Sequence, residues 1–160
     1  MSAPIPRAIE ESDVAALRAL NNKFATELSW QEPEQFDDLL STAWYTRTIG
    51  DCEALLVVFD NKAAYDNANF RWLKIRYNEF VYVDRIVSAV SGKGHAGALY
   101  RDLFEHARKA GHKRVVCEIN VDPPNPGSVA FHQKLGFREV GRQGLDNGKT
   151  VAYFECRLDD

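Results

Sequence analysis

The sequence predicts a mixed α/β domain with a central sheet flanked by helices, and three observations carry that prediction. Apolar runs of strand length alternate with stretches of helical period. A glycine-rich loop, "VSGKGHAGALY", joins one such run to one such stretch. Near the C-terminus Asn147-Gly148, the strongest short hairpin signal, joins two strand-like segments, so part of the sheet is antiparallel. The chain has 160 residues, 45% hydrophobic and 11% aromatic, so a single domain over residues 1–160 buries roughly 70% of its unfolded surface.

The elements follow in order. "IPRAIE" reads as a short first strand, and Ser12-Asp13 opens a helix with Val14, Leu17 and Leu20 on one face. "EPEQFDDLLSTA" reads as a second helix with Pro33 near its start, and "EALLVVFD" as a buried strand. Between residues 63 and 79 the pattern is mixed. Phe70, Leu73, Tyr77 and Phe80 recur at three and four, favouring a helix or a turn-rich insertion over a strand. "FVYVDRIV" is the next strand. After the glycine loop, Ala96, Leu99, Leu103, Ala107 and Ala110 form the inner stripe of a helix that Gly111 stops. "RVVCEINV" is a strand and "DPPNPGS" a loop, in which Asn125 is an N-cap and Pro126 the first residue of a helix ending at Gly136. "FREVGRQ" and "TVAYFECRL" are the two hairpin strands.

Composition removes several function classes. The net charge is −3, and basic residues are scattered apart from Arg108, Lys109, Lys113 and Arg114, which argues against nucleic acid as a main partner. The opening "MSAPIPRAIEE" has no apolar leader core, and no apolar run approaches the ~18 residues of a membrane span, so no membrane partner and a cytoplasmic location are expected. Cys52, Cys117 and Cys156 are odd in number and widely spaced, which speaks against a disulfide framework or a metal site.

The glycine loop has two phosphate-binding spellings to satisfy. A P-loop fails, because Gly94 stands where Ser or Thr is required and Val87 where the first glycine belongs. The dinucleotide fingerprint G-x-G-x-x-G fits Gly92, Gly94 and Gly97, and Glu118 lies about 20 residues further on, where a ribose-binding acid would sit. The terminal antiparallel hairpin counts against a dinucleotide-binding oxidoreductase, since a parallel sheet would need more strands after the loop.

Combined with "NPGSVAFHQKLGF", the loop resembles the GNAT superfamily of acyl-CoA-dependent N-acyltransferases. Its loop, Q/R-x-x-G-x-G/A, is matched over Ser91, Gly92, Lys93, Gly94, His95 and Ala96 except for Ser at the first place. Its second motif is matched by Asn125, Ser128, Phe131, His132, Gly136 and Phe137, and "FHQKLGF" resembles the branch acting on phosphinothricin and similar amino-acid analogues. The resemblance implies a mixed sheet of six to seven strands, splayed between the fourth and fifth, with about four helices. It implies acetyl-CoA as co-substrate and no metal. The pyrophosphate of coenzyme A would lie on the loop amides and helix N-terminus, through Gly97, while its pantetheine arm pairs with the end of the fourth strand at Ile86, Val87 and Ser88.

An amine of pKa near ~10 is about one part in a thousand unprotonated at neutral pH, so transfer needs a base. By resemblance, Glu118 stands where several relatives carry theirs, and its apolar neighbours suit a raised pKa; pairing with Arg85 is the alternative. Asp84 is the second candidate, with an ion pair as its other role. His132 replaces the tyrosine thought to protonate the departing sulfur, as an acid or as filler; His95 reads as a solvated loop residue. The acceptor, a small-molecule amine, is expected at residues 61–80, where Arg71, Lys74 and Arg76 are interleaved with Tyr65, Phe70, Trp72 and Tyr77: the rings would enclose it and an Arg would grip its carboxylate or phosphinate, the alternative being that the rings are core and the charges a solvated face. A protein N-terminus as acceptor, a silent acyl-CoA-binding domain and a homodimer stay open.

Overall fold

The computed structural model describes residues 4–26 and 28–159. Seven strands form one sheet: β1 (Pro6–Arg7), β2 (Tyr45–Ile49), β3 (Ala54–Asp60), β4 (Val81–Ser88), β5 (Arg114–Asp122), β6 (Arg138–Gly144) and β7 (Thr150–Arg157). Five α-helices accompany them: α1 (Val14–Lys23), α2 (Pro33–Thr42), α3 (Ala68–Arg76), α4 (His95–Lys109) and α5 (Pro126–Lys134). The strand order is β1-β2-β3-β4-β5-β7-β6, with β4 and β5 the parallel pair and the other neighbours antiparallel. The strand β2, whose polar "TRT" centre hides its alternation, was not among the expected elements. The five helices exceed the four expected because residues 68–76 form α3.

Each face of the sheet buries its own core. Leu99, Tyr100, Leu103, Phe104 and Ala107 of α4 pack on Val81, Val83, Val115 and Cys117, while Leu17, Phe36, Phe70 and Leu73 of the first three helices cover Tyr82, Val116 and Tyr153 on the other face. The expected α4 stripe is buried at Leu99, Leu103 and Ala107, whereas Ala110 is exposed beyond the helix end. Local signals set the helix starts. The Asn67 carboxamide accepts from the Phe70 amide at 2.7 Å to open α3, and Asn125 does the same for Ser128 at 3.3 Å to open α5.

The decisive departure from regular pairing lies in the centre. The strands β4 and β5 pair only at Val81 with Val115 and Tyr82 with Val116, then separate. Next to the separation, β3 and β4 slip register between Val57 and Val58, which face Arg85 and Val83 and leave Asp84 as the extra residue of a bulge. A bulge bends its strand and re-aims side chains. Here it turns β4 from β5 and lets both Asp84 and Arg85 reach the face covered by α1. The splay begins at Val83, earlier than the expected end of the strand, and β4 closes at Ser88.

Candidate active site

The split between β4 and β5 opens a cleft with two halves. One, of about 170 Å³, lies between Val83 and Ile86 of β4, Cys117 of β5, Tyr100 of α4 and the Asn125, Ser128 and His132 edge of α5. The other, of about 390 Å³, is bounded by Thr26, Ser29, Tyr65, Asn67, Asn69, Asn147 and Lys149. Leu28, Asp84, Arg85, Glu118 and Asn120 line both halves and so form their common wall.

Between β4, whose Val83 and Ile86 line the smaller half, and α4, whose Tyr100 does, stand Ser91, Gly92, Lys93 and Gly94, all exposed, leading into α4 at His95. Gly92 and Gly94 hold φ of 81° and 76°, the left-handed region that other residues enter at a cost, and a Cβ on either would meet nothing within 4 Å. The space above both is open. The first amides of a helix have no intrahelical acceptor and carry the positive end of its dipole, so the start of α4, at His95, Ala96 and Gly97, presents donors to an anion. From Val83 onward β4 has no partner on its β5 side. These features fit a ligand with a phosphate end and an amide-bearing arm.

The remaining candidates on this side divide. Ile86, Asn125 and Ser128 line the cleft. Val87 packs against the second core, and Phe131 packs beside Tyr100 at 6.1 Å between ring centres. Ser88 donates to the Val90 carbonyl at 2.6 Å. His95, expected in solvent, is 5% exposed with its Nδ1 at 3.3 Å from the Ser88 hydroxyl, because it is the first residue of α4 and faces the sheet.

Glu118 sits in the common wall. Its Oε1 accepts from the Tyr82 hydroxyl at 2.9 Å and from Asn69 Nδ2 at 3.1 Å, while its Oε2 is buried without a hydrogen-bond partner. Burial pushes its pKa up to about 8, the nearby Asp84 charge adding to the rise and the Tyr82 hydroxyl opposing it. A carboxylate so placed has one oxygen fixed and one free to take a proton. Asn69 is held in turn, its Oδ1 accepting from Tyr153 at 2.8 Å.

Arg85 pairs with Asp84 and not with Glu118. The Nε to Oδ2 distance is 2.8 Å, and the two side chains are 7% and 3% exposed. Arg85 also donates to Asn21 Oδ1 at 2.7 Å and the Ser29 hydroxyl at 3.3 Å, and Asp84 Oδ1 accepts from Tyr65 at 2.7 Å. Both oxygens of Asp84 are therefore occupied, which favours the ion-pair role over that of a base.

His132 is buried with both ring nitrogens engaged. Nδ1 lies 2.7 Å from the Ser128 carbonyl, which can only accept, so Nδ1 carries the proton; Nε2, 2.6 Å from the Tyr100 hydroxyl, is then the acceptor of that O–H. Burial lowers its pKa. Burial and the engagement of both ring nitrogens favour the space-filling role of His132 over that of an acid.

Of the four rings expected around the acceptor, Tyr65 alone lines the larger half. Phe70 is core at 1% exposure, and Trp72 is stacked on Tyr153 with ring centres 4.0 Å apart. Tyr77 lies at the other end of the sheet beneath Arg114, 4.7 Å from its ring centre. The helical period that suggested α3 points its rings inward, where apolar faces belong. Its cations are engaged as well: Arg71 pairs with Asp66 at 2.5 Å, Lys74 lies 5.7 Å from the Phe70 ring and Arg76 lies 3.5 Å from that of Trp72. The residues that line this half were missed, save Tyr65, Asp84 and Glu118. Asn120 could have been found, since it follows Glu118 by two on the same strand face; Asn69, Asn147 and Lys149 carry no local signal.

Comparison with known proteins agrees with this architecture. Residues 17–137 match the acetyltransferase (GNAT) family. A mycothiol acetyltransferase of Corynebacterium efficiens is 33% identical over 75 residues, a stretch covering 46% of this chain and 25% of that longer protein. Among solved structures, an N-acetyltransferase from Staphylococcus aureus superposes with a TM-score of 0.73 at 18% identity over 98% of this chain and 99% of its own. A Salmonella typhimurium protein solved with its cofactor acetyl-CoA gives 0.72 at 17% identity over 99% and 96%. A ribosomal-protein-alanine N-acetyltransferase from Brucella melitensis gives 0.70 at 18% identity over 96% and 99%. The splayed sheet, its glycine loop and the match over most of its length place the chain in the acetyltransferase (GNAT) family.

Proposed function

We propose that the protein moves an acetyl group from acetyl-CoA to the primary amine of a small, amino-acid-like acceptor, with Glu118 as the general base. The observation that carries this reading is the free, buried Oε2 of Glu118 in the wall shared by both halves of the cleft. Acetyl-CoA supplies an activated acetyl thioester. The amides at Gly92, Gly94 and Ala96 hold its pyrophosphate, and the unpaired edge of β4 from Val83 to Ser88 takes the pantetheine arm.

Glu118 acts on the other partner. An ammonium entering the larger half meets a carboxylate whose pKa, near 8, lies close to neutrality, where a base best combines availability with strength. Tyr82 and Asn69 fix Oε1, so the proton is taken at Oε2. The departing thiolate, of intrinsic pKa near ~8.5, needs little help from an acid. His132 then serves to hold the Tyr100 hydroxyl. Enclosure by the Asp84–Arg85 pair, Tyr65 and the Asn-rich rim supports a small acceptor.

Thiol release from acetyl-CoA across a panel of amines tests the reading. Turnover is expected with one or more small amines and is strongly reduced in Glu118→Gln at pH 7. Release without any amine dependence would overturn it.

A further inference from the structure

The acceptor half has a charge arrangement that narrows the substrate class, an inference that rests on the proposed acetyl transfer. Among the described residues lining it, four are charged: Asp84, Arg85, Glu118 and Lys149. Asp84 and Arg85 neutralise each other in their buried pair at 2.8 Å. That leaves a carboxylate in the inner wall and an ammonium on the rim. The remaining polar lining, Asn67, Asn69, Asn120 and Asn147 with the hydroxyls of Thr26 and Ser29, is neutral.

Lys149 is held in place by its backbone. Its amide donates to Asn147 Oδ1 at 3.0 Å and its carbonyl accepts from the Leu145 amide at 2.7 Å, so the β6–β7 turn presents the residue at a fixed position. Its side chain has no ion pair or hydrogen bond among the described residues. An ammonium that lines a cavity and lacks a counterion attracts an anion.

Tyr153 of β7 lies opposite Glu118, and Lys149 precedes Tyr153 by four residues, just before the strand begins at Thr150, so the carboxylate and the ammonium belong to different parts of the cavity wall.

We infer that Lys149 sets the acceptor preference: the acceptor carries a carboxylate besides its reacting amine, with Glu118 taking the amine and Lys149 the carboxylate.

The test compares acceptors that differ only in the anion, using the full chain, acetyl-CoA and thiol release. 5-Aminopentanoate is set against pentylamine, and a dipeptide against its C-terminal amide. The charged member of each pair is expected to have a kcat/KM on the order of 10-fold higher, the effect of one charge-assisted contact. Lys149→Ala should raise KM for the charged member by a similar factor and so narrow the difference within each pair. Lys149→Glu should reverse the preference toward 1,5-diaminopentane. Equal rates within the pairs or an unaltered KM in Lys149→Ala overturns the inference and leaves acetyl transfer standing. Absence of amine-dependent release with every acceptor overturns both.

Discussion

The two halves of the cleft are built by different means. The donor half is made largely of backbone: glycines at positive φ, the open start of α4 and the unpaired edge of β4. The acceptor half is made of side chains from the segment after α1, the residues before and at the start of α3, both central strands and the β6–β7 turn. Backbone chemistry is the same whatever the sequence, so it needs a few residues that permit a conformation. Side-chain chemistry needs particular groups at particular places, brought from far apart. Mutations in the first half should therefore act through shape and in the second through chemistry.

The largest break is expected at Glu118, where the halves meet. Glu118→Gln should lower turnover at pH 7 by about 10²–10⁴-fold, and the defect should narrow as alkali supplies free amine. The same substitution has an effect of opposite sign on the fold. Because the folded pKa, about 8, lies above the ordinary 4.5, the stability tied to the protonated carboxyl is complete below pH 4.5 and lost as pH rises through 8. Melting curves should show Glu118→Gln more stable than the wild type at pH 9 and nearly equal to it at pH 4. A pH-independent loss of turnover would move the base elsewhere.

Next in size is the donor half. Gly94→Val puts a branched side chain at φ 76° and into the open space over the loop, and calorimetric titration should find acetyl-CoA bound about 10–100-fold more weakly. Unchanged affinity would remove the loop from the site. His132→Phe separates shape from chemistry. It keeps the ring but takes the Nε2 acceptor away from the buried Tyr100 hydroxyl, which should cost about 1–3 kcal/mol of stability with turnover within a few-fold of wild type. A loss of turnover on the order of 10²-fold with affinity intact would restore His132 as an acid. The smallest effect belongs to Lys93→Ala, an exposed charge beside the loop, whose loss should weaken acetyl-CoA binding by no more than about 5-fold.

The same contrast explains what could be read from the sequence. Gly92, Gly94, Asn125 and the Asn147-Gly148 turn announce backbone geometry in a few adjacent letters, so the loop, the cap of α5 and the final hairpin were legible. Glu118 drew notice because the resemblance puts a base at that place and its neighbours Val116 and Ile119 are apolar. The acceptor wall was not. A ring at helical spacing looks the same whether it faces a ligand or a core, and for Phe70 and Trp72 the core prevailed. The link from Asn69 to Glu118 crosses 49 positions of sequence, and nothing near either residue records it. Nor could the bulge at Asp84 be read, since it appears only when β4 is laid against β3.

The gap beside β4 has a further consequence for how the protein survives at high concentration. Exposed strand edges are templates for aggregation, and the outer edges here are blunted: β1 is two residues long and begins with proline, and β6 carries Arg138 and Arg142 with two glycines. The third edge, inside the sheet, has neither protection. It is shielded by width instead. A cavity of about 170 Å³ between α5 and the two strands excludes an intruding polypeptide strand with its side chains. The same narrowness admits a slender chain bearing amides and no side groups, so the device that guards the protein from its neighbours is also a filter for what it binds.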